Sequence, residues 1–212
     1  MAVNAEPTSP LTRAEWVEDR LREAILRGEL APGQRLHAGE LAERWDVSPT
    51  PLREAFQRLA GDGLVDVLPQ RGARVSELSR DEAEEIYALR LLLDPLALRQ
   101  SLAASDDAHR AALVEAFDDF RRAKGRDKVE AHSRFHRVLL SRCPSAWLRR
   151  FTEVLADQSL RYQVASVTGG RAARHPHSEH RALIDAALAG DVERAASLLE
   201  EHLDRTRRIV GR

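Results

Sequence analysis

Along the whole chain only one stretch alternates apolar and polar residues, LVDVLP and ARVSEL set around QRG. A period of two is the pattern of strands with one buried face, and a short polar turn between two such runs makes a hairpin. On either side of it the apolar residues recur at spacings of three and four. The chain is therefore limited to a mostly helical fold with one hairpin, Gly72 at its tip, and that hairpin divides it unequally.

Before the hairpin, Leu11, Ala14, Val17, Leu21, Ala24 and Ile25 mark an amphipathic helix, ended by Gly28, Pro32 and Gly33. GELAERW predicts a short second helix, DVS a tight turn, and Leu52, Ala55, Phe56, Leu59 and Ala60 a third helix that stops at the Gly61 to Gly63 turn. Helix, helix, turn, helix, hairpin is the order of a winged helix-turn-helix. Residues 1–10 carry two prolines and no periodicity and read as a flexible arm, which leaves 11–77 for the winged unit.

Beyond Ser79 the strand pattern disappears. SRDE reads as a capping box, Ser79 with Glu82, opening a helix through Ile86, Leu89, Leu92, Leu93 and Leu96 that Pro95 should kink. Further helices are expected at about Asp106 to Ala123, Lys128 to Ser141, Ala146 to Val164, Glu179 to Ala189 and Asp191 to Ile209. The last two are joined by AGD, with Gly190 as C-cap and Asp191 as N-cap, and should lie antiparallel. Residues 78–212 thus form an all-helical antiparallel bundle of about six helices.

At 212 residues and 43% hydrophobic content, two small cores are more plausible than one. The single cysteine, Cys143, excludes an internal disulfide; no apolar run reaches the roughly 20 residues of a membrane span, and no secretory pattern opens the chain. These features point to a soluble cytoplasmic protein. The net charge of -1 gives no sign of a polyanion partner, and residues 1–76 hold 10 basic against 12 acidic side chains, so any nucleic-acid contact must rest on local patterning.

That patterning is found in VSPTPLREAFQRLAGDGLVD. The first backbone N–H groups of a helix have no internal partner, so with Ser48 as N-cap, Pro49 at N1 and Pro51 at N3 cost the helix nothing. Thr50 is the main early backbone donor left for the Ser48 hydroxyl or a phosphate. A recognition helix enters the major groove by its first turns, which places Thr50, Arg53 and Gln57 at base edges, Arg53 with the fork geometry that suits guanine. Arg71, beside Gly72, can enter a minor groove or meet phosphate.

In the helical part, HSRFH sets His132 and His136 one turn apart on one face, and His180 and His202 fall on the two antiparallel final helices. Four imidazoles suit a first-row transition metal better than Mg or Ca. Taken singly these features also have plainer readings, as solvated arginines and as histidines that cap helices or lie on the surface.

The ordered array LRGELAPGQRL, ELAERWDVSPTPLREAFQRLAGDGLVDVLPQRGARV resembles the DNA-binding domain of GntR-type bacterial transcription regulators over residues 11–77. The resemblance implies DNA contacts from Ser48, Thr50, Arg53 and the wing around Gly72. Two positions depart from the family pattern, Pro49 where arginine commonly follows Val-Ser and Gly39 where some relatives are basic, so a contact is missing at Pro49. RLLLDPLALRQSLA, HSRFHRVLL and EHRALIDAALAGDVERAASLLEEHL resemble the FCD effector domain of the FadR subfamily. Many members hold a metal through an Asp-x-x-x-His pair and two later histidines. His136, His180 and His202 match the histidines, and His132 stands in the aspartate's place.

A fourth imidazole leaves the metal complex one positive charge richer, which favours anionic ligands and Zn or Ni over Mn. Alternatively His132 stays off the metal and leaves a position open to water or an effector carboxylate. The resemblance also matches Arg90 to a pocket arginine that pairs with an effector carboxylate, with a structural salt bridge to Asp94 as the other reading. It implies a homodimeric regulator, most commonly a repressor, that binds double-stranded operator DNA and answers to a small organic acid. The competing class is a metal-dependent hydrolase-like domain fused to a DNA-binding module. Against it, no Gly-x-Ser-x-Gly pattern is present, and Glu179 and Glu201, next to ligand positions, are expected to point to other helix faces.

Overall fold

The computed structural model describes residues 12–68, 71–168 and 177–210, and the expected arm at 1–10 lies outside them. The chain divides into two compact units, one within residues 1–25 and 29–77, the other residues 78–212 with Leu26–Gly28.

In the first unit α1 spans Arg13–Leu26. Thr12 begins it with a reciprocal capping box: its hydroxyl accepts the Glu15 N–H at 3.2 Å, and the Glu15 carboxylate accepts the Thr12 N–H at 2.7 Å. These bonds to Thr12 hold the Glu15 carboxyl below its usual pKa. Helices α2 (Ala38–Trp45) and α3 (Pro49–Gly61) are separated by Asp46 in the left-handed region at φ 52°. Val17 and Leu21 of α1 and Leu52, Ala55, Phe56 and Leu59 of α3 are buried, each large side chain stabilising the unit by about 1.5–3 kcal/mol.

The hairpin is β2 (Val65–Leu68) and β3 (Gly72–Val75). A two-residue β1 (Arg35–Leu36) adds to it in the order β1-β3-β2, all antiparallel. The sequence reading missed β1 because two residues carry no alternation. It also placed Gly72 at the tip, whereas Gly72 is the first residue of β3 and pairs with Leu68, leaving Arg71 in the turn. Gly72 is needed for a different reason: it sits at φ 85°, and a Cβ there would meet the Leu36 carbonyl oxygen at 3.3 Å, where β1 crosses.

In the second unit six helices follow: α4 (Arg80–Ala103), α5 (Asp107–Arg122), α6 (Gly125–Leu140), α7 (Ala146–Thr168), α8 (His177–Leu188) and α9 (Val192–Val210). Tyr87, Leu98, Leu113, Phe120, Phe135 and Leu183 are buried completely or nearly so in their core. α4 packs against α7 and α9, and it runs through Pro95 as one continuous helix. The Gly190 turn, at φ 74°, and the Asp191 cap, whose carboxylate accepts the Arg194 N–H at 3.1 Å, fold α9 back on α8.

The capping box at Ser79 forms only in part. The Ser79 hydroxyl accepts the Glu82 N–H at 3.1 Å, but the return bond is taken over by α7. Tyr162 Oη accepts the Ser79 N–H at 3.3 Å and donates to the Glu82 carboxylate. Burial, and then this bond to Glu82, push the Tyr162 hydroxyl well above the ordinary tyrosine pKa.

Candidate functional site

On α3 the buried residues lie on one side, and Thr50, Arg53 and Gln57, spaced by three and four, lie exposed on the other. Ser48 is the N-cap in extended conformation, also exposed, and its side chain makes no capping bond. Pro51 at N3 removes one of the two donors a cap residue ordinarily engages, and the other, the Thr50 N–H at N2, is not taken up by the Ser48 hydroxyl. Arg53 and Arg71 are exposed and form no ion pair with the described residues, whereas Arg58, on the same helix, pairs with Glu18 at 3.3 Å. An uncommitted guanidinium at the start of a helix can meet a base edge or phosphate without breaking an internal pair.

In the second unit, α6 presents His132 and His136, α8 His180 and α9 His202. All four are buried, with ligand atoms within 4.8 Å of one another. The Nε2 of His132 lies 2.8 Å from that of His180 and 3.1 Å from that of His136, and His136 and His180 are 3.3 Å apart. Nitrogens held about 2.0–2.1 Å from a tetrahedral metal are separated by roughly 3.3 Å, so this donor set fits a transition ion. Three neutral imidazole nitrogens in a triangle cannot all be matched as donor and acceptor, and one contact must oppose two like groups. Burial, with the Arg90 charge adding to it, pulls the His202 pKa down to about 3, which keeps that ring neutral and competent as a ligand at neutral pH.

Phe120 of α5 packs against both His132 and His180, with ring centroids 5.3 and 4.8 Å away, and fixes their orientation. The structure corrects the expectation for Glu179. Its place next to His180 in sequence suggested that it points to another helix face, but its carboxylate reaches to 3.5 Å from His202 Nδ1 and also pairs with Arg205. It therefore orients the α9 imidazole from outside the cluster. Nothing in the sequence near His180 marked this, because it depends on the height of α9 beside α8.

Beside the histidines lies a small cavity of about 20 Å³, partly open to solvent, to which His132, His136 and His202 contribute. Tyr87, Arg90, Ser159, Gln163 and Thr206 line its other walls. Arg90 is buried there, donating from Nε and Nη2 to one oxygen of Asp94 at 2.9 and 2.7 Å and from Nη1 to Ser159 Oγ at 2.6 Å. Arg90 thus forms the salt bridge to Asp94 and also lines this cavity. Burial raises the Asp94 carboxyl above its ordinary pKa against the pull of Arg90, and its Oδ1 has no hydrogen-bond partner among the described residues.

Comparison with known proteins matches both units. Residues 13–75 match the family model for bacterial regulatory proteins of the gntR family, and residues 85–205 match the FCD domain. The chain belongs to the GntR family. It is 37% identical over 201 residues to the uncharacterized HTH-type transcriptional regulator BphR of Paraburkholderia xenovorans (strain LB400), covering 90% of this chain and 82% of the relative. It is 29% identical over 196 residues to the HTH-type transcriptional repressor GlaR of Escherichia coli (strain K12), with 86% and 89% covered.

Among solved structures, E. coli McbR/YncC shares the fold at a TM-score of 0.85 and 23% identity, over 94% of this chain and 97% of that one. A GntR-type regulator from Rhodococcus sp. RHA1 gives 0.80 and 25%, over 94% and 98%. This GntR protein is accordingly a DNA-binding transcription regulator with an effector-binding FCD domain, and not an enzyme; the hydrolase-like alternative has no support. None of its described helices is long and apolar enough to cross a membrane.

Proposed function

We propose that the protein is a homodimeric repressor whose hold on operator DNA is released by a small organic acid bound at a metal-containing cavity. The observation that carries this reading is the buried four-histidine cluster opening onto a cavity that Arg90 also lines. His132, His136, His180 and His202 would hold one divalent transition metal, Zn or Ni by the chemistry of an all-imidazole set. Bound there, the metal supplies a Lewis-acidic position for a carboxylate oxygen. Arg90 pairs with the carboxylate, and the hydroxyl and amide groups of Tyr87, Gln163 and Thr206 set the size and polarity of the acid accepted.

On the DNA side, Thr50, Arg53 and Gln57 read the major groove, the exposed Ser48 meets phosphate at the helix start, and Arg71 with Gly72 forms the wing contact. Two such units on a dimer match a pseudo-palindromic operator. Release requires the acid to bind one arrangement of the dimer more tightly than the other. The test is a panel of organic acids added to metal-loaded protein. The expected result is that one class raises the melting temperature and, in a mobility-shift assay, dissociates the operator complex. If no acid does either while acids bind equally well to Arg90→Ala, the cavity is not the effector site.

A further inference from the structure

Residues 1–76 carry 10 basic side chains against 12 acidic ones, so the winged unit must meet DNA phosphates through cations that no internal carboxylate has taken. Arg22, Arg27, Arg58 and Arg74 are paired within the chain. Arg13, Arg20, Arg35, Arg44, Arg53 and Arg71 form no ion pair with the described residues. Arg53 and Arg71 belong to the recognition helix and the wing. Among the other four, Arg20 is distinguished by what holds it.

Arg20 lies exposed on α1, one turn after Trp16, and its guanidinium carbon is 5.2 Å from the ring centroids of both Trp16 and Trp45. The two indoles meet edge to face, with centroids 6.4 Å apart and planes at 80°, so that α1 and α2 together form a corner into which the guanidinium is set. Trp16 stays 37% exposed and Trp45 is half-buried, which puts the corner at the surface. The N–H groups of Arg20 have no hydrogen-bond partner among the described residues. An arginine stacked on aromatic faces keeps its N–H edge available and is weakly hydrated. It has also given up in advance much of the rotamer freedom that a loose surface arginine loses on binding.

The corner lies close to the recognition helix. Trp45 ends α2, and only Asp46 and Val47 separate it from Ser48, the cap of α3. Three residues of chain span about 10 Å at most, whereas the major groove that a recognition helix enters is about 12 Å wide between its bordering phosphates. The corner is therefore within reach of a phosphate at the edge of that groove.

We propose that Arg20 clamps a DNA backbone phosphate beside the groove that α3 enters, with Trp16 and Trp45 as positioning residues that hold its guanidinium ready. The contact is made by charge-assisted N–H bonds to phosphate oxygens and carries no sequence information. Its effect is to fix the register in which Thr50, Arg53 and Gln57 meet base edges. It rests on DNA binding alone and is independent of metal and effector.

The experiment uses the full chain and a fluorescently labelled DNA duplex of mixed sequence, because a phosphate contact is common to operator and unrelated DNA. Dissociation constants are taken from anisotropy titrations over a series of KCl concentrations, each contact contributing about 0.9 to the slope of log K against log salt. Arg20→Ala is expected to lower that slope by one contact for each copy bound and to weaken binding ~10-fold per copy, with helix content unchanged. Arg20→Lys keeps the charge without the planar fork and is expected to keep the slope but only part of the affinity. Trp16→Leu removes one wall of the corner and is expected to weaken binding with the slope unchanged. Arg110→Ala, the same charge change on α5 of the helical unit, measures the effect of net charge alone. A folded Arg20→Ala that matches wild type, or loses no more than Arg110→Ala, overturns the contact and leaves the corner as a cover for two surface indoles. A loss in Arg20→Ala that Trp16→Leu does not share keeps the phosphate contact and overturns the positioning role of the indoles.

Discussion

Stripping the metal should lower the stability of the helical unit by an amount that the histidine geometry lets one bound. Three imidazole nitrogens lie 2.8–3.3 Å apart, a spacing that suits shared ligation of one ion better than mutual hydrogen bonding, in which at least one contact is mismatched. His202, with its pKa near 3, has no proton to displace at neutral pH, so ligation there is not opposed by protonation. A metal present at a thousand times its dissociation constant then adds about 4 kcal/mol to folding. At about 2–4 °C per kcal/mol for a protein of this size, the melting temperature should rise by roughly 10 °C.

The assay is a thermal melt of chelator-treated, dialysed protein with and without one equivalent of Zn or Ni, accompanied by elemental analysis. His180→Ala, which removes the nitrogen closest to His132, should abolish the rise. Less than stoichiometric metal after purification in its presence, together with coincident melts for wild type and His180→Ala, would refute the reasoning.

Two further outcomes test other parts of the molecule. Arg53→Ala should weaken specific operator binding by about 1–3 kcal/mol, or ~5- to 150-fold, with stability changed by less than about 0.5 kcal/mol because the side chain is exposed and unpaired among the described residues; normal binding in a mobility-shift titration removes Arg53 from the contact set. Tyr162→Phe deletes the bonds to Ser79 and Glu82 at the start of α4 and should cost about 1–2 kcal/mol in urea unfolding followed by circular dichroism. An unchanged midpoint would mean that water satisfies those groups as well as Tyr162 does.

What the sequence determined by itself was everything set by short-range periodicity and capping. The helices of both units, the hairpin and the Gly190–Asp191 reversal appear within a few residues of their expected limits, because each depends on which face of a local segment is apolar and where its backbone donors end. The four histidines were also legible, two from their one-turn spacing and two from the antiparallel pair that carries them. Tertiary structure decided what depends on distance between elements. β1 forms only because β3 offers it an edge, and Gly72 is required by the passing Leu36 carbonyl rather than by a hairpin tip. Tyr162 replaces Glu82 in the Ser79 cap from 83 residues away, and Glu179 reaches His202 because α9 lies beside α8 at a height that no local pattern encodes. Arg90 was readable as a charge on a helix; that it holds Asp94 and Ser159 while lining the cavity beside the histidines follows only from how α4 and α7 pack.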